Sequence, residues 1–261
     1  MHGPLLIINK TNAESTVHRR TRMDYVGIKK LDAEGAVIGE HRFVGLFTSK
    51  AYGEAADNIP ILRDKLATVL TESGVREGSH DYKEIITIFN SLPKEELFLS
   101  SAEEVAEDVQ TVLTSFSAKN VRISLREDPL HRGLSVMVII PRDRFSGTVR
   151  RSIEAALVAV YEGEVLNYHL ALGEGDQARL HFYLGAAGER VQAVTVSELE
   201  KAVAELIRTW TDRVREGLEA IWPADEAHRL ASKYGESLSK EYQAAANPDV
   251  AVGDIGELES M

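Results

Sequence analysis

Cysteine is missing altogether from this 261-residue chain, and disulfides, thiolate nucleophiles and thiolate metal sites are excluded with it. No apolar run approaches the ~20 residues that span a bilayer. The opening residues MHGPLLIINKT also lack the charged n-region and small-residue cleavage site of a secretory leader. Positive charge is scarce: 30 Lys and Arg stand against 41 Asp and Glu, a formal charge of −11. Much of the excess is C-terminal, where Ala186 to Met261 carries fifteen acidic and eight basic residues. Phosphate backbones are bound by clustered Lys and Arg, so nucleic acid is a poor partner for this chain. Solvated acidic helix faces account for the charge itself. Taken together, the absences predict a cytoplasmic protein that engages neither a membrane nor nucleic acid.

Phosphate-binding and nucleophile motifs are absent too. There is no G-x-G-x-x-G after a strand, no G-x-x-x-x-G-K-[ST] and no G-x-S-x-G elbow. Gly173-Glu174-Gly175-Asp176 reads as a hairpin turn whose acids would repel a pyrophosphate. The histidines include His18, His41, His169 and His181, none of them at metal-ligand spacing. A structural or solvent-exposed role fits each better than catalysis. Binding and regulation are favoured over chemistry, with no catalytic, cofactor or metal residue assigned.

What is present is enough apolar sequence, 44%, for about two domains of an α+β protein. Leu5–Ile8 forms a short strand, and Met23–Leu31 and Val37–Phe47 form a hairpin around Asp32-Ala33-Glu34-Gly35. Helices follow from Pro60, on Ile61, Leu62, Leu66, Val69 and Leu70, and over Tyr82, Ile85, Ile86 and Phe89. This first unit, residues 1–99, is expected to be a hairpin-centred sheet backed by helices.

Ser100 or Ser101, with Glu103 or Glu104, opens a second unit with a capping box. Its helix runs to about Ser117 on Val105, Val109, Val112, Leu113 and Phe116. Strands Val121–Glu127 and Leu134–Ile140, a helix near Ser146–Tyr161, and strands Val165–Leu172 and Arg179–Leu184 complete an α-β-β-α-β-β order. One antiparallel four-stranded sheet with helices on one face satisfies it, a permuted ferredoxin-like arrangement. Alternation sends Val121, Ile123, Leu125, Val136, Val138, Ile140, Leu166, Tyr168, Leu170, Leu180, Phe182 and Leu184 toward the helices. The other face, expected open, gathers Arg122, Arg126, His169, Arg179, His181 and Tyr183, with Ser124, Ser135, Met137 and Asn167. That basic, aromatic face is a candidate docking or effector surface, for an acidic helix of this chain or of a second copy. Ordinary solvated surface is the competing reading.

From Ser197, paired with Glu200 as a capping box, a stripe runs through Leu199, Val203, Leu206, Trp210, Val214, Leu218 and Ile221 to Pro223. Burial of this stripe is expected. A weaker helical stretch, Ala224–Ala246, precedes a nearly featureless acidic tail from Asn247 that has the look of an interior segment.

Several blocks in order carry a resemblance. They are S-T-V-H-R (Ser15–Arg19), D-Y-V-G-I-K (Asp24–Lys29), G-E-H-R-F-V-G-L-F-T-S-K-A-Y (Gly39–Tyr52), N-I-P-I-L-R-D-K (Asn58–Lys65), S-H-D-Y-K (Ser79–Lys83), V-I-I-P-R-D-R-F (Val138–Phe145) and A-R-L-H-F-Y (Ala178–Tyr183). Over nearly its whole length the chain resembles the region upstream of the catalytic domain in the large bacterial NAD-specific glutamate dehydrogenases. The resemblance implies a PAS-like domain over 1–99, an ACT-like domain over 100–190, and a helical segment over 191–261 leading toward a catalytic domain. It implies a regulatory and assembly fragment of an enzyme of glutamate catabolism. That enzyme would convert L-glutamate to 2-oxoglutarate and ammonia with NAD, as a homo-oligomer. NAD and the glutamate-binding lysines would belong to the parent, and this fragment would be inactive. Partners would be its own catalytic domain, other subunits, and an amino-acid effector of allosteric type. The α-β-β-α-β-β order departs from the usual β-α-β-β-α-β ACT order. Alternatives are a stand-alone amino-acid-sensing ACT-type module, and an independent enzyme using His169 and His181.

Overall fold

The computed structural model describes residues 5–17, 20–115, 120–127, 133–172, 176–185 and 194–260. His18, Arg19, Phe116 and the turn residues Gly173 to Gly175 lie outside them. Strands β1 (Leu6–Glu14), β2 (Arg22–Leu31) and β3 (Val37–Gly45) form one antiparallel sheet in that order. The β2–β3 turn is built as the sequence asks. Gly35 takes φ 84°, and the Asp32 carboxylate accepts from the Glu34 and Ala36 amides at 3.1 and 2.7 Å.

Helices α1 (Ser49–Gly53), α2 (Pro60–Glu72), α3 (His80–Ser91), α4 (Lys94–Leu99) and α5 (Ala102–Ser115) follow. Pro60 sits at the first turn of α2, where no amide is missed. Ser79 caps α3 through the Tyr82 amide at 3.2 Å. Of the two candidate boxes before α5, Ser101 and Glu104 form the real one, at 2.6 and 3.2 Å. Helix α4, directly after Pro93, was not foreseen.

The second sheet contains β4 (Arg122–Glu127), β5 (Leu134–Pro141), β6 (Glu164–Leu172) and β7 (Gln177–Gly185), with helix α6 (Gly147–Tyr161) between β5 and β6. Its order is β4-β5-β7-β6, antiparallel throughout. Thus α5-β4-β5-α6-β6-β7 reproduces the expected element order. A register shift between Val165 and Asn167 alters one face assignment: Val165, opposite Leu184, joins the core, whereas Leu166 does not.

The larger correction concerns what covers that sheet. One face carries a core of Val136, Val138, Ile140, Leu180, Phe182 and Leu184 packed under Ile153, Leu157 and Tyr161 of α6. Helices cover the opposite face as well. Met137 and Ile139 there belong to a second core with Leu62, Leu66 and Val69 of α2, Ile85, Ile88 and Phe89 of α3, and Val105, Val109 and Val112 of α5. The face expected to be open is therefore largely enclosed. The reason is apolar area: α2, α3 and α5 each carry an apolar stripe, and Met137 and Ile139 give those stripes a surface to close on. It follows that α2 and α3 do not back the β1–β3 hairpin. Among the described residues, no β1–β3 side chain belongs to a core cluster, and Val37, Ile38, Phe43 and Val44 are more than half exposed. Among the described residues, the short α1 and α4 lie beside that sheet across a shared cavity.

The C-terminal stripe is likewise divided. Helix α7 (Val196–Leu206) is capped by Thr195 with Glu198, rather than by Ser197 with Glu200. Glu200 is engaged elsewhere, accepting the Ile123 amide at 3.1 Å beside Arg122 at 3.7 Å. A new capping box, Thr209 with Asp212, starts α8 (Trp210–Glu219), so one expected rod becomes two helices. Leu199 and Val203 bury against the β4–β7 sheet. Val214 and Leu218 instead join Ala227 and Leu230 of α9 (Ala224–Ser237) in a third core. The tail is not featureless. After α10 (Lys240–Ala245), helix α11 (Pro248–Ser260) adds Ala251, Val252 and Ile255 to that core. Trp210 packs at its edge, donating its indole N–H to the Ala246 carbonyl at 3.0 Å. Ile221, at the end of the stripe, is exposed.

Candidate functional site

Strand register arranges the polar residues of the enclosed face in rows across β4, β5, β7 and β6. Arg122, Ile139, Arg179 and Ala171 form the first row, Ser124, Met137, His181 and His169 the second, and Arg126, Ser135 and Tyr183 the third, opposite Asn167. Of the six candidate residues, five stay together here. Arg122 does not. It lies on edge strand β4, where it turns to Glu200 of α7 and a wide charged groove that also holds Arg144 and Asp212. Arg144 binds both Thr209, at 3.0 Å, and Asp212. That contact ties the start of α8 to the segment after β5 and holds the Asp212 carboxyl down to about 2, against the penalty of its partial burial.

At the third row the face is fully paired. Asp108 of α5, itself buried, accepts from Ser124 Oγ at 2.6 Å and from Arg126 Nη2 at 2.7 Å; Glu96 of α4 lies 3.4 Å from the same nitrogen. Burial works against the Arg126 charge, but Asp108 and Glu96 together hold its pKa above the ordinary value. Burial also pushes the Glu96 carboxyl up, with Ser135 and Arg126 opposing. An acidic helix has thus been laid on a basic sheet face, and the charges meet inside.

The β6–β7 end is different. His181 is buried, its Nε2 has no hydrogen-bond partner, and its ring centre lies 6.2 Å from that of His169. Burial, then the neighbouring His169, Arg179 and Arg126, push its pKa down to about 3. Burial lowers His169 as well. Both imidazoles are therefore neutral at physiological pH, and neither is poised as an acid. Arg179 is 5% exposed, its Nη1 is sealed without an acceptor, and among the described residues no carboxylate pairs with it. Burial alone depresses its pKa. Two openings reach this end. One, of about 270 Å³, runs past His169, His181 and Tyr183 beneath Pro93 and Glu95. The other, of about 370 Å³, is bounded by Arg179, His169 and the α3–α4 junction.

Two further features had no signal in the reading of the sequence. An apolar cavity of about 420 Å³ lies between the β1–β2 face and helices α1 and α4, lined by Ile8, Phe47, Ile59, Phe98 and Leu99. His80, Asp81 and Glu84 converge on the first turn of α3, the only such group among the described residues. His80 and Asp81 are solvent-exposed and Glu84 partly so, with His80 Nδ1 3.8 Å from Asp81 and 3.6 Å from Glu84, too loose for a formed centre. His41 pairs across the strands with Ile28, far from His169 and His181 in sequence and on the other sheet.

Known families match these elements in order. A model described as glutamate dehydrogenase, helical motif 1, matches residues 59–116, which hold α2 to α5. The glutamate dehydrogenase ACT2 domain matches 122–211, from β4 through the start of α8. Helical motif 2 of the same enzyme matches 218–261, where α9 to α11 lie. The chain belongs to the glutamate dehydrogenase family. Within that family it is similar to the NAD-specific glutamate dehydrogenase of Halomonas elongata, 31% identical over 258 residues, which are 98% of this chain and 16% of the relative. The Pseudomonas aeruginosa enzyme of the same name is 30% identical over equal shares. That of Mycobacterium tuberculosis is 31% identical over 242 residues, 87% of this chain and 14% of the relative. The chain thus spans about one-sixth of the length of these curated relatives. In family terms, the enclosed sheet is the ACT2 unit, and the helices on its polar face are helical motif 1.

Proposed function

We propose that this chain is a non-catalytic regulatory and assembly region of an NAD-dependent glutamate dehydrogenase. The parent enzyme converts L-glutamate to 2-oxoglutarate and ammonia with NAD bound in another domain, as a cytoplasmic homo-oligomer. The observation that carries this reading is the ACT2 sheet and its polar face. Asp108 and Glu96 clamp the Arg126 end shut, while the Arg179 end is buried, unpaired and reached by cavities. In this reading a change at the Arg179 end acts through the sheet on helices α4 and α5 at the other, as a regulatory element requires. In the same reading the PAS-like part of residues 1–99 is reduced to the β1–β3 sheet with α1 and α4, whose apolar cavity faces other parts of the enzyme, while α2 and α3 belong with the ACT2 sheet. No described helix is long and apolar enough to cross a membrane.

The test uses the chain beside the full-length enzyme. The chain at micromolar concentration is expected to show no saturable NAD binding in calorimetry and no NADH formation from glutamate. In the full-length enzyme, Arg126→Glu is expected to change oligomer mass by light scattering, or the response to amino acids, with KM for NAD unchanged. Saturable NAD binding by the chain alone, or a variant that alters only KM for NAD, overturns the proposal.

A further inference from the structure

Arg179 poses a problem that the rest of the fold does not solve. A guanidinium keeps its proton at any physiological pH, so burial leaves an uncompensated positive charge, a costly state unless an anion joins it. Its strand neighbours offer none: Ile139 faces it from β5 and Ala171 from β6. The contrast with Arg126, two rows along the same face, is direct. There two carboxylates come from helices α4 and α5; here none does.

The surroundings say what sort of anion is missing. The 370 Å³ cavity that Arg179 lines also has His169, Lys94 and Glu95 on its wall, with Leu92 and Leu172 supplying apolar surface. Glu95, the only carboxylate on that wall, is directed to Lys10 at 3.4 Å. A planar guanidinium matches a carboxylate in a two-pronged bond. The apolar wall suits a short carbon stem, which an inorganic oxyanion lacks, and a single buried cation balances a single negative charge. The volume suits a small molecule and excludes a nucleotide.

We propose that the Arg179 cavity, between β6–β7 and the α3–α4 junction, is a binding site for a small organic carboxylate. In it Arg179 receives the carboxylate, and Leu92 and Leu172 hold the stem. The proposal deepens the regulatory reading by naming a ligand class. Binding itself, however, is measurable on this chain, whether or not occupancy alters turnover in the parent.

Thermal melts and calorimetry of the chain with acetate, succinate, L-glutamate and L-aspartate, beside phosphate and sulfate at matched ionic strength, test it. At least one carboxylate is expected to bind saturably and raise the melting temperature, with phosphate and sulfate inert. Arg179→Met is expected to weaken that binding by about tenfold to a hundredfold. Its melting temperature without ligand should be no lower than that of the parent, because an unpaired buried charge has gone. Should Arg179→Met fail to fold, Ala171→Phe, which fills the cavity and leaves the charge, must abolish the ligand-induced shift. Three results overturn the proposal. They are no shift with any carboxylate, binding of phosphate or sulfate in preference, and an equal carboxylate shift in the parent and Ala171→Phe. If Arg179→Met also lowers the unliganded melting temperature of a chain that binds no carboxylate, the C-terminal carbonyls of α3 are the partner of that charge.

Discussion

The two sheets of this chain have similar local patterns and opposite fates. β4–β7 is covered on both faces, by α6 on one and by α2, α3 and α5 on the other. β1–β3 contributes nothing to any core cluster among the described residues, and Phe43 and Ile38 on it stand about 60% exposed. Alternation alone does not decide burial. A strand is buried when another element brings an apolar stripe to it, and α2, α3, α5 and α6 all go to the second sheet. The first sheet keeps Val37, Ile38, Phe43 and Val44 exposed at the surface of this chain.

Substituting one phenylalanine in each region gives the widest separation. Phe89→Ala, in the core beneath β5, is expected to lower stability by ~3–5 kcal/mol, whereas Phe43→Ala should leave urea unfolding of this chain unchanged. Equal losses would mean that the first sheet is packed in solution. Next comes the buried charge cluster. Asp108→Ala leaves Arg126 with Glu96 alone, at 3.4 Å, and is expected to cost ~1.5–3 kcal/mol; removing the exposed Arg42 partner of Glu40 on β3 should not move the melting temperature. Glycines sharpen the comparison further. A Cβ on Gly133 would stand 2.3 Å from the Leu184 carbonyl oxygen, while one on Gly39 of β3 would meet nothing within 4 Å. Gly133→Ala should therefore cost ~1–3 kcal/mol, and Gly39→Ala stay within ~0.5 kcal/mol of the parent.

The smallest effect is set by pH. His181 has a folded pKa of about 3 against an ordinary 6.5, so the unfolded chain takes up a proton between these values and the folded chain does not. Its contribution is intact above pH 6.5 and is lost as pH falls. The loss reaches about 2 kcal/mol by pH 5 at 1.36 kcal/mol per unit. Unfolding free energies from urea titrations should fall by that amount more in the parent than in His181→Phe between pH 7 and pH 5. Parallel curves would mean that His181 is hydrated in solution.

Much of the second sheet was legible, because its alternation and its hydrophobic helix are local signals. What covers a sheet is not local. Ser124, Arg126 and Ser135 made its far face read as wet, although Met137 and Ile139 on the same side were the hint of a second layer. Overlapping signals misled the reading of the C-terminal helices. Thr195-x-x-Glu198 and Ser197-x-x-Glu200 fit the same pattern, and only the tertiary role of Glu200 separates them. Thr209-x-x-Asp212 was visible too, but a regular three-and-four stripe passed straight through it. Of the candidate site, the six residues were identifiable from strand parity. That Arg126 is neutralised while Arg179 is left unpaired depends on where α4 and α5 dock, which no periodicity reports.

The shared core of α2, α3 and α5 with Met137 and Ile139 also orders events in time. Those helices leave the ribosome before β5, the strand their stripes close upon, has been made. Until then they have only one another to shield their apolar sides, so the early chain is a loose helical cluster awaiting its floor. Once β5 arrives, helices and sheet melt together as one cooperative unit. The α8–α9–α11 bundle closes a core of its own and is joined to the sheet unit through the Arg144 contact to Thr209 and Asp212.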